Sequence, residues 1–484
     1  MAITGATNLV PAPSKQLLAS AYIDFTSDTG NNGWQQQYLP DLMAQEAEVF
    51  GNRTIAGFLS QVGAEESMTS DQVVWSEQGR LHLSYTMTMA GTGTTLVATH
   101  NADGVAVATT GLQTTGHHGI RVGDMLLIAD NNVTMRAYAK AVAVNGTVTI
   151  QPYDETHANT SGIAEGACKV LVFGSEYAKG DVGRAGANTP AFQTFTNKPI
   201  ILKDKYEISG SDASAIGWVE VSGEEGQNGY LWYLKAEGDT RARFADYLEM
   251  AMIESEKATG DGLTGLATDS PNGGALTGTE GLFKAITTRG NITTGVTGVN
   301  AATDLAEFDA ILAEFDAQGA IEENMMFVNR STALAMDDML ASMNSYGAGG
   351  TSYGVFDNSE DMALNLGFSG FRRGSYDFYK SDWKYLNDQS TRGLINATNT
   401  VGAVRGVIIP AGVSSVYDQQ LGKNLKRPFL HTRYRASQTD DRKMKTWVTG
   451  SVGAVTSDLD AMEVHYLSER CLVVQGARNF MMMS

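Results

Sequence analysis

Along this chain the spacing of apolar positions changes period several times, and each change marks a different kind of element. Up to about Ser70 the pattern is an arm followed by helical stretches. Leu42, Met43, Val49 and Phe50 fall at roughly helical spacing, and Gly30-Asn31-Asn32-Gly33 interrupts any regular element before them. From Val73 the period is two. Val73-Val74-Trp75 and the run from Leu81 to Met87 read as strands, the second alternating cleanly. A Gly/Thr-rich stretch to about Thr115 is followed by apolar runs from Gly119 to Ile128, Arg136 to Val144 and Thr147 to Ile150, with Asn145-Gly146 as a hairpin turn between the last two. These runs predict a small β-barrel or sandwich between about Gly91 and Ala178. It reads as an insertion, because the strands on either side could pair without it.

The most helical segment lies between Gly226 and Thr259. Phe244, Leu248, Ala251 and Met252 form an apolar stripe, while Arg241, Arg243, Glu249, Glu254 and Glu256 sit mostly off it. Gly260-Asp261-Gly262 is expected to end the helix. Residues 303–341 read helix, strand, helix: Asp304 with Glu307 resembles a capping pair, Leu305, Phe308, Leu312 and Phe315 form a buried face, and Gly319 suits a C-terminal cap. Asn324 to Val328 is a short strand and Ser331 to Met343 a second helix. Further strands are expected at Phe378 to Lys380, Val404 to Ile409 and Ser415 to Tyr417, and in most of Lys445 to Val455 and Met462 to Met483. The mixture defines an α+β chain.

Composition narrows the function classes. Charged residues make up 18% of the chain and 53 residues are glycine, a profile suited to a surface covered by neighbours. The formal net charge of −19 argues against holding DNA over a broad surface, which needs clustered Lys and Arg. The two cysteines, Cys168 and Cys471, are far apart and outside CxxC spacing, so neither a disulfide framework nor a thiolate metal site is expected. No apolar run approaches bilayer length, and the amino terminus lacks the pattern of a signal peptide.

The motifs that carry chemistry are largely missing. His117-His118 has no carboxylate or cysteine at ligand spacing and reads as loop. Gly347-Ala348-Gly349-Gly350 lacks the Lys-Ser or Lys-Thr of a phosphate loop, and Asp357 to Asp361 lacks the pattern of a calcium loop. Glu307, Asp309, Glu314 and Asp316 share a helix at a spacing that permits acid/base work, yet read as its solvated face. No catalytic, cofactor-binding or metal-binding residue is expected. One basic cluster stands out: Lys423, Lys426, Arg427, Arg433, Arg435, Arg442, Lys443 and Lys445. In so acidic a chain it reads as a surface that pairs with acidic faces of neighbouring subunits. A nucleic-acid patch is the second reading, with only Tyr434 and Trp447 as interleaved aromatics.

Several stretches together resemble the major capsid proteins of tailed bacteriophages, the Hong Kong 97-type shell family. Thr194 to Pro199 and Tyr206 to Gly210 look like the returning strand of that family's extended loop, placed before the long helix. Phe308 to Phe327, Val407 to Gly412 and Ser415 to Asp418 look like its axial domain, and Tyr466 to Val474 like the closing strand of its peripheral domain. The resemblance implies an N-terminal arm and helix over residues 1–69, an extended loop over 70–90 and 179–215, and an inserted β-rich domain over 91–178. It implies a peripheral domain with a spine helix over 216–300, an axial domain over 301–425 and peripheral closing strands over 426–484. It further implies a non-enzymatic subunit that self-assembles, as hexamers and pentamers, into the icosahedral head of a virion around double-stranded DNA bound without specific recognition. Net negative charge would help keep packed DNA from sticking to such a wall. Nothing before Asp41 resembles a charged coiled-coil scaffold, so a separate scaffolding protein is expected, with portal and decoration proteins as further partners, assembly in the host cytoplasm and no membrane. An encapsulin-like compartment shell and a β-rich surface or binding protein are the alternatives.

Overall fold

The computed structural model describes residues 57–59, 64–77, 80–90, 94–102, 104, 106–107, 118–130, 133–143, 146–154, 166–183, 193–211, 221–222, 228–229, 231–259, 276–319, 321–344, 370–396, 402–411, 413–418, 423–452 and 455–484. The expectations for the arm and the helix around Leu42 to Phe50, for Gly260 to Gly262, and for the Gly347 and Asp357 loops lie outside these residues. Two compact units divide the chain, one of residues 76–194 and one of residues 1–75 with 195–484.

After strands β1 (Ala64–Met68) and β2 (Val73–Glu77), the smaller unit runs β3 (Ser84–Ala90), β4 (Thr95–Asn101), β5 (Asp124–Ala129), β6 (Thr134–Val142), β7 (Thr147–Pro152) and β8 (Gly166–Ser175). These six close into a barrel in the order β3-β4-β7-β6-β5-β8. Period-two alternation drives the closure: Met87, Leu96, Leu126, Ile128, Ala137 and Val148 all point inward and are wholly buried. The barrel takes in Ser84–Ala90, which the sequence places in the flanking loop. The physical reason is that β3 pairs on both edges, with β4 and with β8, and Met87 and Met89 join the core. β9 (Gln193–Asn197) then pairs with β2 as a two-stranded ribbon, so the strands on either side of the barrel pair with each other.

The larger unit continues with β10 (Ile200–Ser209), β11 (Val221–Ser222), β12 (Asn228–Gly229), α1 (Leu231–Glu254), α2 (Leu282–Arg289), β13 (Asn291–Thr293), α3 (Ala301–Gln318), β14 (Glu323–Val328) and α4 (Arg330–Asn344). Then come β15 (Gly370–Arg373), β16 (Tyr376–Asp382), α5 (Lys384–Asn387), α6 (Gly393–Asn396), β17 (Gly406–Pro410), β18 (Val413–Asp418) and β19 (Lys423–Pro428). Last are β20 (Leu430–Arg435), β21 (Lys445–Gly450), β22 (Ala461–Val474) and β23 (Met481–Met483). Its first sheet has the order β1-β20-β22-β10, with β21 also on β22. Strand β22 is the spine of that sheet, paired along ten residues with β10. The 24-residue helix α1, about 36 Å at 1.5 Å per residue, lays Phe244 and Leu248 on Val464 and Tyr466. Burying each such side chain stabilises by roughly 1.5–3 kcal/mol. The helix stops at Glu254, before the glycines expected to end it.

The second sheet is mixed, in the order β13-β23-β17-β14-β16-β15. Every residue of β17 is buried, because both faces of the sheet are covered and a continuous apolar run is then required. Met326, Val328 and Ile408 face the core built with Phe308, Phe315 and Met336 of α3 and α4, while Phe327, Val407 and Ile409 face the core shared with Met252, Leu282 and Trp383. The flanking strands β13 and β23 come from segments that the sequence gives to the peripheral domain. They belong here because Met481 and Met483 fill the core under α3. At the start of α3 the cap is Asn300, whose side chain accepts from Thr303 N. Asp304 and Glu307 instead accept from the backbone N–H groups of Gly298 and Thr297, both at 2.8 Å, which corrects the expected capping pair. Gly319 ends the helix in the left-handed region, as its sequence position requires.

Candidate assembly surfaces

The basic cluster lies on β19, β20, β21 and the turn between the last two. Lys423, Lys426 and Arg427 sit on β19, opposite Asp418, Ser415 and Ser414 of β18. The other five pair within the chain. Arg433 reaches Glu66 at 2.6 Å, Arg435 meets Asp71 and, at 3.2 Å, Glu469, and Arg442 lies 2.6 Å from Glu469. Lys443 meets Glu65, and Lys445 reaches Asp440 at 2.7 Å. Parallel pairing of β1 with β20 sets Glu65 and Glu66 beside Thr432 and Arg433, which brings the acidic strand against the basic one. Glu469 is the buried member, held between two guanidinium groups. Pairs this exposed on one side contribute little each, about 0–1 kcal/mol, so the row orders the surface more than it stabilises it.

The helical carboxylates are likewise structural. Asp309 takes Arg373 through two nitrogens, Asp316 accepts from the Tyr376 hydroxyl at 2.7 Å, and Glu314 accepts from Gln318 at 3.0 Å. His118 is tied to Gly146 O at 2.5 Å, and His117 lies outside the described residues. Burial pushes the Cys168 thiol up to about 11 and the Cys471 thiol up to about 12. Among the described residues no three His, Cys, Asp or Glu side chains gather as a metal site, and no helix is long and apolar enough to cross a membrane.

A cluster that sequence reasoning missed roots the β2–β9 ribbon. Asn197 is wholly buried. Its Nδ2 donates to Leu472 O at 2.6 Å and Glu280 O at 3.1 Å, and its Oδ1 accepts from Glu280 N and Lys198 N, both at 2.9 Å. Beside it the Arg289 guanidinium lies 4.6 Å from the Phe195 ring and 5.6 Å from the Trp75 ring, with Glu280 at 2.7 Å. Lys257 donates to Thr196 O, and burial pulls its ammonium below the ordinary lysine range. The only sequence signal was the polar Asn197-Lys198-Pro199 between two strands. A nearby cleft of about 440 Å³ is lined by Thr69, Ser70, Trp75, His431, Arg433 and Gln475, with His431 turned to Pro428 O at 3.2 Å.

No protein-family model matches the chain, and no curated protein matches it. Solved structures do. A chain from Mycobacterium phage Ogopogo is 12% identical with a TM-score of 0.40, over 93% of this chain and 98% of its own. A chain from Microbacterium phage Oxtober96 is 8% identical with a TM-score of 0.38, over 93% and 97%. The capsid structure of the cyanophage P-SCSP1u gives 8% identity and a TM-score of 0.37, over 94% and 95%. This chain is distantly similar to each of them, over nearly the whole of both lengths.

Proposed function

We propose that this chain is the major shell subunit of a tailed-phage head, with the Hong Kong 97-type organisation and no enzymatic role. The observation that carries the reading is the order of its elements. Helix α1 lies over the β10–β22 ladder formed by segments more than 250 residues apart, and a separately layered sheet with α3 and α4 is built mostly from the residues between them, with β23 added from beyond β22. That order is the one expected of a peripheral domain with its spine helix and an axial domain. Large buried cores, charged side chains paired within the chain, and polar groups spent on structure support a building role over catalysis. On this reading the subunits gather as hexamers and pentamers, with repeated modest contacts adding up around double-stranded DNA in the virion. Scaffolding, portal and decoration proteins would be separate partners, and the basic cluster would contribute at subunit boundaries.

Electron microscopy of the purified chain, with crowding agent or scaffold supplied, tests the proposal. Closed shells with five- and six-fold units are expected, and removal of Ala2 to Ser27 is expected to abolish them. Discrete monomers or small oligomers under every condition would overturn the reading. Shells holding an enzyme in place of DNA would transfer it to a protein compartment.

A further inference from the structure

The outer face of the small barrel departs from the polar surface its other strands carry. On β8 the outward residues are Lys169, Leu171 and Phe173, and the exposed Glu176 follows the strand. Leu171 is 40% and Phe173 48% exposed. Register places Leu127 of β5 directly opposite Leu171, so the apolar surface continues onto the neighbouring strand. By contrast, the outward positions of β7 are Thr147, Thr149 and Gln151.

The exposure of Phe173 is built into the backbone. The β5–β8 ladder skips from Met125↔Gly174 to Leu126↔Val172, which leaves Phe173 as the extra residue of a bulge. Phe173 keeps the outward alternation of Lys169 and Leu171, and the bulge leaves it without a register partner on β5. Gly174 beside it has no side chain, and a methyl group there would stand 2.7 Å from Met125 Cε. The absence of a side chain at Gly174 leaves room for the Met125 methyl group over it. Since the barrel is closed, no strand edge is offered for pairing, and association of the barrel would use an outer face.

Charge indicates the occupant. Lys169 stands at one end of the apolar stretch and Glu176 at the other. The Lys169 ammonium is held by Thr86 Oγ1 at 2.7 Å and the Glu176 carboxylate by the Tyr153 hydroxyl at 2.5 Å. A strand with a cation, two apolar side chains and an anion in sequence matches its own copy turned by 180°, which sets each Lys169 against the other Glu176. Two-fold contacts have this self-complementary form. We propose that the β5–β8 face of the barrel is a contact surface for the same face of a second copy of this chain.

Sedimentation velocity on the unassembled full-length chain tests it. F173S should weaken self-association on the order of a hundredfold, as loss of a central aromatic anchor does. K169E and E176K should each weaken it about tenfold by setting like charges together, and the K169E/E176K double variant should recover it. Near-UV circular dichroism verifies that the barrel is intact. The charge variants and their recovery in the double variant give a readout that stands even if F173S fails to fold. Unchanged sedimentation of a folded F173S, or a double variant no better than the single ones, would overturn the contact. The inference does not rest on the shell reading: closed shells without this contact would sink it alone, and the contact without shells would sink only the other.

Discussion

Glu249 stands where a helix packed on a sheet would ordinarily carry an apolar side chain. It is 6% exposed, and its two carboxylate oxygens accept from Gly57 N at 2.7 Å and Leu59 N at 2.9 Å. Those bonds seat Phe58 in the core, stacked 4.3 Å from Trp383. Burial lifts the carboxyl above its ordinary range, while the backbone N–H donors pull it partly back. A raised folded pKa means the native state holds the proton more tightly than the unfolded chain. The stability owed to this group is therefore complete below the ordinary carboxylate value and is lost as pH rises through the folded value. E249Q should flatten the dependence of melting temperature on pH above the ordinary carboxylate range, whatever it does to the absolute value. An unaltered slope would refute this role. Periodicity found Phe244, Leu248 and Met252 of the same helix but put Glu249 among the residues off the stripe. Its partners lie some 190 positions away, and no local pattern encodes them.

Among the elements, β21 and β22 show how tightly one turn can depend on one residue. Gly450 has φ +121°, its N–H donates to Thr456 Oγ1 at 2.9 Å, and a Cβ there would stand 1.8 Å from Ala461 O. G450A should cost at least about 2 kcal/mol from left-handed strain and backbone clash together, read as a lower denaturation midpoint. A variant within about 0.5 kcal/mol of the parent would show that the turn relaxes freely. Element type was legible wherever the period was clean: the barrel strands, α1, and the helix–strand–helix of α3, β14 and α4. The ends were less so. Asn300 took the cap expected of Asp304 because its side chain sits one residue before the helix, where the first free N–H groups point.

At the scale of the whole molecule, the small barrel has its own closed core of Met87, Leu96, Leu126, Ile128, Val148 and their neighbours, and the larger unit has separate cores. Calorimetry of the unassembled chain should resolve two transitions, one of them moved selectively by a cavity such as L126A in the barrel. A single transition shifted as a whole would show one cooperative block. A β-rich unit distinct from its surroundings was legible in the sequence, yet its bounds and the exchange of strands into the second sheet were hidden. Whether β3 belongs to a loop or a barrel is decided by partners up to about 90 residues away, and the short strands β13 and β23 are too brief to declare a sheet.

The two-stranded ribbon has a consequence for how such a chain can change. Because β2 and β9 pair with each other where the chain leaves and rejoins the larger unit, everything between them is topologically a single side branch. Its root is clamped by Asn197 and the Arg289 stack, both belonging to the trunk. Lineages could therefore lose, exchange or enlarge this branch without re-threading the trunk, so the barrel can evolve at its own pace, and a foreign domain grafted in its place would inherit a ready-made pair of adjacent ends.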